Sequence, residues 1–284
     1  MKYIVRLYGG LGNQMFQFAF ALSLKKQNPS IPVVYDYKSL TSFGIHNGME
    51  LNKVFGLNLK QCSIRDIIPY VWPNHNKMWI RLNRFYPRRK YLIDEHSFDK
   101  FRESPNNSYY FDGFWQEEQF LKPAEREIRD KFTITDLDLR NKQMIQFIKC
   151  HNCASIHVRR GDYIEHPLYK GICSHEYYTA AIDSLNQSIR PDYYIIFSND
   201  IDWCKRQLTR VSDKMIFVDW NKGTDSYKDL SLMSLCNSQI IANSSFSWWS
   251  AWLNKHQNKV IISPKNWTNN PEIPHPALKS WIKI

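Results

Sequence analysis

Apolar positions fall into short runs separated by polar and glycine-rich turns. Tyr3, Ile4, Val5 and Leu7 predict a buried strand over residues 2–8. Gly9, Gly10 and Gly12 form a tight turn behind it. Phe16, Ala19, Phe20 and Ser23 or Leu24 then recur at helical spacing and predict a helix over residues 13–26. Pro29 and Pro32 end it before a second strand at 33–35. Strand, glycine loop, helix and strand open a wound α/β domain. Residues 40–105 carry no clear period, and short helices broken by Pro69, Pro73 and Pro87 are expected there. Residues 109–120 are dense in aromatics.

Alternation resumes near residue 150. Strands are expected at 154–158, 192–197, 214–218 and 238–242, with a final one at 259–263. Helices are expected at 174–186, through Trp203 and Leu208, at 226–235 and at 247–255. Ser174 reads as an N-cap, with Tyr177, Ala181 and Leu185 on one face. Strands and helices at this spacing imply a parallel sheet, whose ligands sit beyond the carboxyl ends of the strands. There is no internal repeat. The length of 284 residues and the change of pattern suggest two domains, 1–149 and 150–284.

Composition narrows the classes. Hydrophobic residues make up 43% and charged residues 23%, as in an ordinary globular chain. The net charge of +11 favours anionic partners: nucleotides, nucleic acid or a membrane surface. No apolar run approaches the ~18–20 residues that span a bilayer, and the apolar residues after the glycine turn lack signal-peptide architecture. The chain therefore reads as cytoplasmic. Six cysteines show no framework spacing, and the lone C-x-x-C at Cys150 and Cys153 does not predict zinc.

The candidate chemistry lies at three strand ends: Arg159-Arg160-Gly161-Asp162, Ser198-Asn199-Asp200 and Asn243-Ser244-Ser245-Phe246-Ser247. The third cluster also opens a helix, whose free N–H groups favour a phosphate. Paired guanidinium forks match diphosphate oxygens. The bland alternative is an arginine–aspartate ion pair with ordinary capping. Two rival functions are weaker. A nicotinamide enzyme would want glycine where Met15 stands, and Asp36 lies 24 residues after Gly12. A nucleic-acid module could use the six basic residues of 77–90 with Trp72, Trp79, Phe85 and Tyr86, but it leaves the strand-end clusters without a purpose.

Four ordered segments carry a family resemblance. Gly9-Gly-Leu-Gly-Asn-Gln-Met-Phe-Gln17, Phe111-Asp-Gly-Phe-Trp-Gln116 and Asn243-Ser-Ser-Phe-Ser-Trp-Trp-Ser-Ala-Trp252 resemble segments of family 11 α-1,2-fucosyltransferases. His157-Val-Arg-Arg-Gly-Asp162 is similar to the H-x-R-R-x-D motif of α-1,2-, α-1,6- and protein O-fucosyltransferases. The resemblance implies a GT-B-like α/β fold, with two Rossmann-like domains facing a cleft: 1–149 on the acceptor side with an irregular helical insertion, and 150–284 binding GDP-fucose. It implies transfer of L-fucose from GDP-β-L-fucose to the 2-hydroxyl of a galactose, with inversion and without metal or other cofactor. Asp136-Leu-Asp138, in a polar stretch before a helix, is no metal motif.

Carried over residue by residue, Arg159 and Arg160 contact the diphosphate, and Arg159 and Asp162 are the catalytic candidates. His157, Ser198, Asn199, Asp229, Asn243, Ser244, Ser245, Phe246, Asn13 and Gln14 contact the donor, with Asp229 reading guanine. Trp115, Gln116 and Glu117 contact the acceptor. The general base stays open among Asp162, Glu117, Glu118 and Asp36. Expected partners are GDP-fucose and a galactose-terminated oligosaccharide or lipid-linked glycan, with no nucleic acid. The basic, aromatic stretch 77–90 suggests reversible contact with an anionic inner membrane face.

Overall fold

The computed structural model describes residues 1–42, 47–71, 91–209 and 211–284. The basic stretch 77–90, with Trp72, Trp79, Phe85 and Tyr86, lies outside the described residues. The chain forms two compact units, Met1–Thr133 and Ile134–Ile284. The division precedes the expected one at 149/150. The helix Leu139–Cys150 belongs to the second unit, because Ile148 and its neighbours pack on that unit's sheet.

In the first unit β1 (Tyr3–Arg6), β2 (Val33–Asp36), β3 (Leu92–Ile93) and β4 (Tyr109–Phe111) form a parallel sheet in the order β2-β1-β4-β3. The helix expected at 13–26 runs Leu11–Gln27 and is buried almost all round. An evenly apolar helix must be enclosed, and Phe16, Phe18 and Phe20 provide that apolar surface. The aromatic segment 109–120 opens with a strand and continues as irregular chain into a short 3-10 turn. Tyr109–Phe111 is a central strand, fully buried, and too short to show a period of two.

The second unit holds β5 (Cys153–Val158), β6 (Tyr193–Ser198), β7 (Met215–Val218), β8 (Ser238–Ile240), β9 (Ile261–Ser263) and β10 (Ile282–Lys283). The sheet is parallel throughout, in the order β10-β9-β8-β5-β6-β7. This is the doubly wound order, with the winding of successive strands switching sides between β5 and β8. The strand expected to be last, β9, is followed by β10, a two-residue exposed edge that has no sequence pattern.

Side chains of β5 alternate between the two faces. Ala154, Ile156 and Val158 pack with the helices His175–Ser188 and Ile201–Gln207. Cys153 packs on the other face with Ile148, Leu232 and Met233, from Leu139–Cys150 and Tyr227–Leu235. The helix Ser245–Leu253 buries Trp248, Trp249 and Trp252 against one another, with Trp248 Nε1 donating to the Pro276 carbonyl at 2.9 Å. The tryptophan-rich end of that motif therefore builds core.

Candidate active site

The switch point of the second sheet brings the three predicted clusters to one edge. After β5 the backbone turns at Gly161, in the left-handed region at φ 42°, and a Cβ there would lie 2.6 Å from Asn199 Nδ2. A side chain there would be strained at this φ and would meet the Asn199 amide. Asn199 Oδ1 accepts from the Arg160 backbone N–H at 2.9 Å. Ser198 Oγ accepts from the Asp200 N–H at 2.9 Å, and the Asp200 carboxylate caps the next helix at Trp203. Ser198 and Asn199, expected as donor contacts, thus shape the turn through Oγ and Oδ1.

The two arginines have different surroundings. Arg160 Nε donates to Asp200 at 3.2 Å, and its guanidinium lies 4.3 Å from the Trp203 ring centre. Arg159 pairs with Asp162 at 2.8 Å and lies 5.3 Å from the centre of the Tyr163 ring, while its Nε is buried without a partner. Asp162 therefore braces Arg159. A cavity of about 320 Å³ adjoins both arginines and is lined also by Tyr163, Cys173, His175 and Trp203.

On the opposite face His157 is buried, with its ring 5.8 Å from that of Phe246. Burial, and then the Arg159 charge, push its imidazole down to about 3, so it stays neutral. Its Nδ1 is buried and has no hydrogen-bond partner. Ser244 precedes the helix Ser245–Leu253 without capping it through its side chain, and Ser245 and Phe246 are half-buried at its start. Asn243 is turned inward: its amide donates to the Trp267 carbonyl at 3.1 Å and accepts from Cys173 Sγ at 3.3 Å.

Asp229 ends a polar chain that sequence reasoning missed. Asn221 donates to Asp229 at 2.8 Å and exchanges two hydrogen bonds with Asn141, at 2.8 and 2.9 Å. Asn141 also donates to Asp138, which pairs with Lys228 at 2.9 Å. Asp138 is thus the N-cap of a helix, and the Asn141 N–H and Lys228 hold its carboxyl well below the usual range. Burial pushes the Asp229 carboxyl up to about 8, against the lowering effect of the Asn221 hydrogen bond. No motif marks the paired asparagines, which lie 80 residues apart.

In the first unit several candidates prove structural. Gln14 is fully buried, donating to the Gly9 and Gly48 carbonyls at 2.9 Å each and accepting from the Glu50 N–H at 3.0 Å. Its amide is consumed, which corrects the expectation that it contacts the donor. Gln17, one turn on, accepts from the Tyr8 N–H at 3.0 Å. Asn13 is half-buried and accepts from Gln116 at 2.9 Å. Trp115 is fully buried and stacked on Phe20 at 4.0 Å, so it is core and not an acceptor contact. Glu117 accepts from Gln119, Glu118 pairs with Lys122, and Asp36 is buried beneath the Tyr110 hydroxyl. Among the described residues no group of three or more His, Cys, Asp or Glu could hold a metal ion, and no helix is long and apolar enough to cross a membrane.

Two parallel, Rossmann-like halves, one with an arginine-bearing switch point, are those of a GT-B-type α/β fold. The model of glycosyl transferase family 11 matches residues 1–284, and the chain belongs to that family. It is 32% identical to the alpha-1,2-colitosyltransferase of Escherichia coli, over 99% of this chain and 98% of that protein. It is 23% identical to the galactoside 2-alpha-L-fucosyltransferase Sec1 of Mus musculus, over 99% of this chain and 73% of that protein. Among solved structures, an NodZ alpha-1,6-fucosyltransferase soaked with GDP-fucose superposes with a TM-score of 0.53 at 14% identity, over 88% of this chain and 91% of that one. That likeness concerns the fold.

Proposed function

We propose that the protein is an inverting galactoside α-1,2-fucosyltransferase using GDP-β-L-fucose. The observation that carries the reading is the Arg159 guanidinium at the end of β5, braced by Asp162 with one buried donor unmet. As the bond from the sugar C1 to the diphosphate oxygen breaks, its electron pair leaves with GDP. Arg159 and the free N–H groups at the start of the helix Ser245–Leu253 meet the growing negative charge. The 2-hydroxyl oxygen of a galactose attacks C1 from the opposite side, which inverts the centre. His157, neutral and with a free Nδ1, and Phe246 line the nucleoside pocket, and Asp229 reads the guanine N1–H and 2-amino group. The carboxylates considered as general base are already engaged by neighbouring groups. The reading therefore leans on leaving-group stabilisation, with the hydroxyl proton passing late to solvent water, and needs no metal or other cofactor.

The test is transfer from GDP-fucose to lactose in the presence of EDTA, followed by GDP release and by NMR of the product. An α-fucosyl signal on the galactose 2-oxygen is expected. Activity abolished by EDTA and restored by manganese would contradict the metal-free step. The colitosyltransferase relative favours a second reading, in which colitose replaces fucose as the transferred sugar. A parallel run with GDP-linked colitose separates the two. A cytoplasmic site of action, with peripheral contact to anionic membrane for lipid-linked acceptors, belongs to the same proposal. Co-sedimentation with anionic but not neutral vesicles is its test.

A further inference from the structure

The carboxyl edge of the first sheet carries a feature that the motifs did not assign. Its strand order switches between β1 and β4, and the residues just beyond these two strands are held in a specific arrangement. The Glu95 carboxylate accepts the backbone N–H groups of Phe114 and Trp115, at 2.5 and 2.8 Å. It lies so close to Gly113 that a Cβ there would sit 2.5 Å from Glu95 Oε2. Trp115 takes a left-handed backbone conformation, φ 59°, and buries its ring on Phe20. A non-glycine residue held there is strained and persists only where the surroundings enforce it. The consequence is local: Trp115 goes in, and Phe114 remains 40% exposed.

Phe114 is not alone. Its ring lies 4.8 Å from that of Tyr8 at 44°. The Arg6 guanidinium lies 4.4 Å from the Tyr8 ring centre and donates to both oxygens of Asp112, at 2.8 and 3.0 Å. Asp112 keeps part of its surface in solvent. Burial, and then the Asp112 and Glu95 carboxylates, push the Tyr8 phenol well above its usual range despite Arg6, so it remains a hydrogen-bond donor. Two tilted rings bordered by two carboxylates do not suit a phosphate. They suit a neutral ring with an apolar C–H face and hydroxyls at its rim.

We propose that Tyr8 and Phe114 form the platform on which the acceptor pyranose lies, with Asp112, fixed by Arg6, accepting hydrogen bonds from its hydroxyls. The inference rests on the transferase reading and replaces Trp115 with Phe114 as the aromatic acceptor contact. Phe114 keeps its ring face in solvent beside Tyr8, whereas Trp115 is enclosed by the core.

Steady-state kinetics with lactose and GDP-fucose on Phe114→Ala and Phe114→Trp test it. Loss of one ring contact is expected to raise the lactose KM about tenfold, while the GDP-fucose KM moves less than twofold; Phe114→Trp restores the lactose KM. An unchanged lactose KM in Phe114→Ala, with wild-type transfer intact, overturns the platform and leaves the transferase reading standing. Saturation-transfer NMR with methyl β-galactoside gives a readout without turnover. Binding to wild type that is weakened in Phe114→Ala supports the platform even if wild type uses no GDP-fucose. The same signal from both proteins, or from neither, overturns it.

Discussion

The two sheets end differently at their carboxyl edges, although both are parallel and both switch their winding at one point. In the second unit that edge leaves polar groups unmet: Arg159 Nε and His157 Nδ1 are buried without partners beside a helix start. In the first unit Arg6 Nε and Trp115 Nε1 are also buried without partners, but the amides and carboxylates at the equivalent edge are paired. Gln14 and Gln17 tie the glycine turn to neighbouring loops, Asn13 holds Gln116, and Glu95 holds the Phe114 turn. Unmet buried donors are expensive, and an unmet guanidinium nitrogen near a helix start suits an anionic ligand. The paired edge instead presents two rings, suited to a neutral one.

The largest expected effect falls on the unmet edge. Arg159→Ala should lower turnover ~10²–10³-fold, the usual loss for a transition-state electrostatic contact. Arg159→Lys should not rescue it, because a point charge cannot replace a planar fork. Arg160→Ala, whose guanidinium is already held by Asp200 and Trp203, should mainly weaken donor affinity. Near-normal turnover in Arg159→Ala would erase the distinction between the two arginines.

Trp115→Ala tests the paired edge. Removing a fully buried, stacked tryptophan should cost ~3–5 kcal/mol. The melting temperature should drop on the order of 10 °C. A variant that melts within ~2 °C of wild type and loses only acceptor affinity would return Trp115 to the binding role its motif suggested.

Asp229 supplies a smaller, pH-dependent effect. Its carboxyl sits near 8 in the free protein, so most of it is protonated at neutral pH. Guanine donors favour the ionised form, so GDP binding should release a proton, and affinity should rise as pH increases toward 8. Calorimetry in two buffers of different ionisation enthalpy measures the proton, and Asp229→Asn should abolish that pH-dependent part. The same shift has a stability sign. A carboxyl raised on folding favours the folded state at low pH and costs stability as pH climbs through its folded value. Asp229→Asn should therefore melt higher relative to wild type at pH 8.5 than at pH 5. An equal difference at both values would place Asp229 in solvent.

Much of the second unit was legible because β5 and β6 are six-residue, largely apolar runs and the helix His175–Ser188 carries a clear face. Ser174 caps Tyr177 as its position suggested. The first unit was harder for physical reasons. A strand of three aromatics, Tyr109–Phe111, has no room for a period, and β3 is two residues long. At the site, residue type pointed to Arg159 and His157, but spacing could not tell which face each side chain takes. Trp115 and Phe114 are adjacent aromatics, and only the Glu95 contacts and the backbone turn decide which goes inward. The Asn141–Asn221 pair joins distant segments through neutral amides, which leave no local signature.

The most direct test of the account is calorimetric titration of GDP and ADP into wild type and Arg159→Ala, with EDTA present. The account predicts that wild type binds GDP at least tenfold more tightly than ADP, and that Arg159→Ala loses at least tenfold in GDP affinity, about 1.4 kcal/mol. Equal affinity for the two nucleotides, or GDP affinity unchanged in Arg159→Ala, would contradict it.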